Sequence, residues 1–154
     1  MSVLAFGGID SGIYRVVLLL HIVSIVAAFA PAFAHPLLGA QSARMAPAAR
    51  DQVRGFLAAN SKRVYAPALI AAGVFGLLLV VASDESWEFS EGWVSMSFLV
   101  WFAMNGVLHA FLLPAERKLA TGDTAAESRV QLGGMILSVL FLVMLVLMIW
   151  KPGA

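Results

Sequence analysis

Three histidines, His21, His35 and His109, lie in the long apolar stretches of this chain, and they are its only side chains there that titrate near neutral pH and ligate metals. Asn105 and His109 are spaced i, i+4, so on a helix they point the same way, one turn apart. His35 precedes Gly39 by four residues and His109 precedes Leu113 by four, which places both rings at similar depth in helices that run in the same direction. Facing imidazoles at one level are what bis-histidine ligation of haem b requires, with Asn105 orienting one ring. The same His35 and His109 pair suits a copper or other metal ion where haem is not the occupant.

His21 is fourteen residues before His35, about 40° around an ideal helix and roughly 21 Å along it. It lines the same internal face but cannot serve the same iron. Fourteen residues before His109 stands Ser95, so a second bis-histidine haem lacks a ligand. Two further readings stand beside this one. Intramembrane histidines also hydrogen-bond across helices or satisfy carbonyls freed by Pro31 and Pro36. His21, Asn105 and His109 also suit a proton or small-solute pathway.

The elements that must position these residues follow from composition. The chain has 154 residues, 61% hydrophobic and only 12% charged, far from the balance of a soluble domain. Stretches at about 14–39, 66–82, 93–113 and 131–150 are each long enough to cross roughly 30 Å of hydrocarbon. The expected fold is all-α: one polytopic membrane domain over 1–154, a bundle of four transmembrane helices. Small residues at Ala68, Ala72 and Gly76 form a packing seam on helix two. Helix four is Leu, Val and Met and faces lipid on most sides, with Met135, Met144 and Met148 as packing material.

Several chemistries are disfavoured. Cysteine is absent, which removes disulfides, thiolate metal sites and a cysteine nucleophile. A net charge of +1 with no basic run gives nucleic acid nothing to bind. No apolar stretch contains an acid, Ser11 and Ser138 lack a base, and Gly7-Gly8 and Gly133-Gly134 lack the Lys of a phosphate loop. The expectation is a small non-catalytic integral membrane protein, an accessory or assembly subunit that packs against copies of itself or a larger membrane complex. Haem or copper handling and the solute pathway are its alternatives.

Charge sets the expected orientation. Of the ten basic residues, Arg44, Arg50, Arg54, Lys62, Arg63, Arg117, Lys118 and Arg129 flank the first and third connections, whereas Asp84, Glu85, Glu88 and Glu91 occupy the second. The positive-inside rule puts the basic connections in the cytoplasm and both termini outside, with Trp87, Trp93 and Trp150 at the outer boundary. Residues 47–60 predict a short helix lying in the cytoplasmic interface, with Arg50, Arg54, Lys62 and Arg63 reaching anionic headgroups of the bilayer. Pro31 and Pro36 predict a bend in helix one. Ala32-Phe33-Ala34 has the form of a signal-peptidase site, but no Lys or Arg precedes Arg15 and the apolar run continues, so it reads as helix. Pro114 predicts the end of helix three, leaving Glu116-Arg117-Lys118 as a solvated cluster.

The stretch VVLLLHIVSIVAAF at 16–29 resembles the small bacterial four-helix integral membrane proteins related to the copper-resistance D family. The resemblance lies in the early helix-one histidine, the small-residue run after it and a four-helix plan covering nearly the whole chain. It implies a bacterial cytoplasmic-membrane location and, for some relatives, copper or haem handling, with His21 the residue carried over. The Trp-x-Gly-Gly element those proteins often carry after this histidine is replaced here by IVAAFAP.

Overall fold

The computed structural model describes residues 8–84 and 86–153; Gly7 and Glu85, which entered the sequence reading, lie outside them. Among the described residues the chain is helical, without strands. Four continuous helices, α1 (Gly12–Ser42), α2 (Pro47–Ala82), α3 (Gly92–Ala120) and α4 (Thr124–Trp150), are each long and apolar enough to cross a membrane. Connections at 43–46, 83–91 and 121–123 turn the chain back each time, giving the bundle one basic end and one acidic end.

Local chemistry explains the helix limits. Ser11 caps α1 by accepting from the Tyr14 amide at 3.1 Å. The helix then runs unbroken through Pro31 and Pro36 rather than unwinding at either. At its other end the Arg50 guanidinium donates to the carbonyls of Ala43 at 2.9 Å and Ser42 at 3.4 Å, satisfying acceptors that the helix leaves open.

Two boundaries differ from the sequence reading for one shared reason. The residues expected to form a separate interfacial helix are helical, yet they run straight on into the second apolar stretch as a single element of 36 residues. Pro114, likewise, does not stop α3, which continues to Ala120. In both places a π-helical turn sits just before the proline: Ser61–Tyr65 ahead of Pro67, and Val107–Leu112 ahead of Pro114. Ala66 N–H donates to Ser61 O and Leu113 N–H donates to Leu108 O, each five residues back. The wider turn accommodates the proline ring and its missing donor without breaking the rod.

The core is built from all four helices. Leu69, Met104, Leu108 and Leu137 are almost wholly buried, and Phe29 of α1 stacks on Phe141 of α4 at 3.7 Å between ring centroids. Glycines admit neighbours where the helices cross: a Cβ on Gly133 would meet Leu112 and Phe111 at 3.2 Å. The outer faces carry exposed large apolar residues on every helix, including Val26, Leu37, Val81, Phe102, Leu142 and Ile149.

Candidate functional site

The most polar buried cluster lies at the basic end, where the π turn of α2 meets α1 and the last turns of α3. Because α3 continues past Pro114, it carries Glu116 into the bundle, where the residue is only 6% exposed. The π turn in α2 presents Ser61 and Tyr65, both buried, and Asn60 precedes them. The half-buried His35 reaches in from α1.

Ser61 Oγ donates to Glu116 Oε1 at 3.0 Å, and His35 Nδ1 stands 3.7 Å from the same oxygen. The Asn60 amide nitrogen lies 3.3 Å from His35 Nε2. An amide nitrogen only donates, so Nε2 accepts and the neutral ring carries its proton on Nδ1, toward the carboxylate. Two buried polar atoms lack partners among the described residues: Glu116 Oε2 and the Tyr65 hydroxyl oxygen. His35 and Glu116 line a cavity of about 580 Å³, whose walls also include Arg50, Arg54, Gln131 and Ser138.

The nearby guanidiniums are already engaged. Arg54 pairs with Asp51 at 3.5 Å and with Glu127 of α4 at 3.4 Å, while Arg50 is spent on the end of α1. A buried carboxylate with one oxygen unpaired is expensive unless a positive charge or a proton meets it. The arrangement therefore leaves Glu116 Oε2 open to a donor or a small cation.

The structure brings His35 and Glu116 together and leaves His109 apart. His109 lies within the π turn of α3 on an exposed face, while Leu108 and Leu112 of the same turn point into the core. Asn105 donates to its own helix at Trp101 O, at 2.9 Å, and orients no imidazole. The facing pair fails because equal depth does not fix direction: the buried face of α3 is carried by Val100, Met104, Leu108 and Leu112, and His109 lies beside that stripe on the outward side. Arg50 and Arg54 also face into the protein, whereas Lys62 and Arg63 are exposed and enter no ion pair among the described residues.

His21 occupies a second place, toward the acidic end. Its Nδ1 is 2.7 Å from Ala72 O on α2, and Gly76 leaves room for the ring, since a Cβ there would sit 3.3 Å from His21 Cε1. Beside it Trp101 Nε1 donates to Leu69 O at 2.8 Å. Among the described residues no group of three or more His, Cys, Asp or Glu side chains is placed to hold a metal ion.

Glu116, Asn60, Ser61 and Tyr65 escaped the sequence reading. The signal was there: Leu108, Leu112, Ala115 and Glu116 recur at helical spacing on one buried stripe. Treating Pro114 as a stop cut that stripe short. No family model, curated protein or solved structure matches the chain.

Proposed function

We propose that this chain is a small, non-catalytic multi-pass membrane protein that takes up a proton or a small monovalent cation at Glu116 from the basic side and passes it across the membrane. The observation that carries this reading is the buried Glu116 carboxylate, with Ser61 and His35 on one oxygen, no partner on the other among the described residues, and a cavity beside it that Arg50, Arg54 and Gln131 also line. The exposed apolar belt on all four helices supports insertion in lipid, because such a surface is unfavourable in water. The resemblance to copper-resistance D proteins implies the bacterial cytoplasmic membrane, and the charge split then puts the basic end inside, both termini outside and Lys62 and Arg63 against anionic headgroups. The kinship with copper-resistance D proteins belongs to the same proposal and rests on His21, which lies apart from the Glu116 cluster.

The test is proton flux in proteoliposomes loaded with a pH-sensitive dye and driven by a potassium diffusion potential, with and without sodium. Wild type is expected to carry flux that Glu116→Gln abolishes and His109→Ala retains. Suppression of proton flux by sodium would identify the cation as competing for the carboxylate. Equal signals from wild type, Glu116→Gln and protein-free vesicles would overturn the reading.

A second reading, assembly with copies of itself or within a larger membrane complex, is supported by His109. The imidazole is exposed on an otherwise apolar span, beside exposed Ala103, Gly106 and Ala110, and a Cβ on Gly106 would meet nothing within 4 Å. A polar ring facing hydrocarbon is costly, and small residues let another helix approach closely enough to cover it.

A further inference from the structure

The second cavity, of about 370 Å³, lies toward the acidic end and differs in character from the first. Rings and thioethers, among them Phe29, Phe98, Trp101, Met104 and Met144, share its walls with aliphatic side chains. Its volume falls in the range of sites for small molecules, roughly 300–1,000 Å³. At its mouth Lys151 lies over the Trp87 ring at 3.6 Å from the centroid, and Trp87 meets Trp93 edge to face at 5.4 Å.

The polar groups of this wall are mostly spoken for. Trp101 Nε1 donates to Leu69 O, Ser97 Oγ donates to Trp93 O, and Trp93 Nε1 donates to Glu91. The Tyr14 hydroxyl, the Trp87 indole N–H and the Lys151 ammonium enter no hydrogen bond among the described residues, but each carries a donor; His21 differs from them in offering a nitrogen that only accepts. A carbonyl only accepts, so the contact with Ala72 O fixes the neutral ring's proton on Nδ1. The lone pair then stays on Nε2, which enters no hydrogen bond among the described residues, on a ring that lines the cavity. Gly76, lacking a Cβ, leaves room for the Nδ1–Cε1 edge of the ring beside α2.

From this geometry we infer that the acidic-end cavity binds a flat aromatic alcohol, of the phenol or hydroquinone class, whose hydroxyl donates to His21 Nε2. The rings and methionines supply stacking and sulfur–aromatic contacts to its body. An acceptor nitrogen at the end of an apolar cavity selects a donor: an ether or hydrocarbon of the same shape leaves Nε2 unpaired. This site is independent of Glu116 and stands whether or not that carboxylate handles protons.

The probe is 1-naphthol, with 1-methoxynaphthalene and naphthalene as shape-matched compounds lacking the hydroxyl. Binding to the full chain in detergent is read by quenching of tryptophan emission, after subtraction of partitioning into empty micelles. Wild type is expected to bind 1-naphthol about five- to tenfold more tightly than either analogue, the size of one buried hydrogen bond. In His21→Phe the three compounds should bind alike, and in Glu116→Gln the preference should persist. Equal affinity for all three in wild type would mean that the cavity takes apolar matter indiscriminately, such as an acyl chain, and would overturn the inference. So would a preference that survives in His21→Phe. If that variant fails to fold, the wild-type ratio alone decides.

Discussion

Gly73→Ala adds one methyl group at the point where α2 meets α3. The new Cβ would overlap Cε2, Cζ2 and Nε1 of Trp101, each nearer than the 3.0 Å that a real Cβ tolerates. The indole has little freedom to retreat, because its N–H is held by Leu69 O at 2.8 Å and its ring sits 4.8 Å from Phe102 and 6.4 Å from Phe98. Restoring contact at about 3.5 Å means moving the ring by roughly 1 Å or more. Overpacking of this kind costs about 1–3 kcal/mol, and loss of the indole hydrogen bond adds about 1–3 kcal/mol. Alanine returns roughly 0.5–1 kcal/mol in helix propensity. The net destabilisation is therefore about 3 kcal/mol, near a hundredfold in the folding equilibrium. Gly55→Ala is the matched control, since a Cβ there meets nothing within 4 Å. Reversible unfolding in mixed micelles, followed by tryptophan emission, measures both. If Gly73→Ala were as stable as Gly55→Ala, the packing argument would be wrong. It would be equally wrong if Gly73→Ala cost as much in a Trp101→Leu background as in wild type, because the clash partner would then be irrelevant.

The register set by the α3 π turn predicts that Leu108→Ala, at a fully buried position, destabilises by about 1–3 kcal/mol, mainly through lost packing. His109→Ala should change stability by less than about 0.5 kcal/mol in the same assay. Arg50→Ala removes donors from the Ser42 and Ala43 carbonyls and should cost about 1.5–3 kcal/mol; amide exchange accelerated at residues 39–45 would localise the effect to the end of α1. Lys62→Gln with Arg63→Gln should weaken retention of an anionic phospholipid by about 1 kcal/mol per residue, measured by native mass spectrometry, whereas Gly55→Ala should leave it unchanged. Gly106→Leu should abolish chemical cross-linking of the chain to copies of itself in membranes if the His109 face is the contact, and a cross-linking yield equal to wild type would exclude that face.

Much of the architecture was legible in the residues themselves. Four apolar stretches long enough to span hydrocarbon dictate four long helices, because a buried backbone without water must bond to itself. Gly76 in the helix-two seam was equally readable, since it is a local matter of side-chain size. Exposed Lys62 and Arg63, with no acid beside them, also follow from simple charge patterning.

The site was decided by tertiary structure. A linear reading takes Pro114 as the end of helix three and pairs histidines by depth, whereas a π turn carries each of α2 and α3 past its proline. The same turns let α2 and α3 pass Pro67 and Pro114, so Glu116 becomes a buried carboxylate instead of a solvated one, while His109 lies outward beside the buried Leu108. His35 consequently meets Asn60 and Glu116, partners distant in sequence that no spacing rule relates. Apolar length alone made the chain four helices; the phase of each helix, set by packing around proline, determined which polar groups meet inside them.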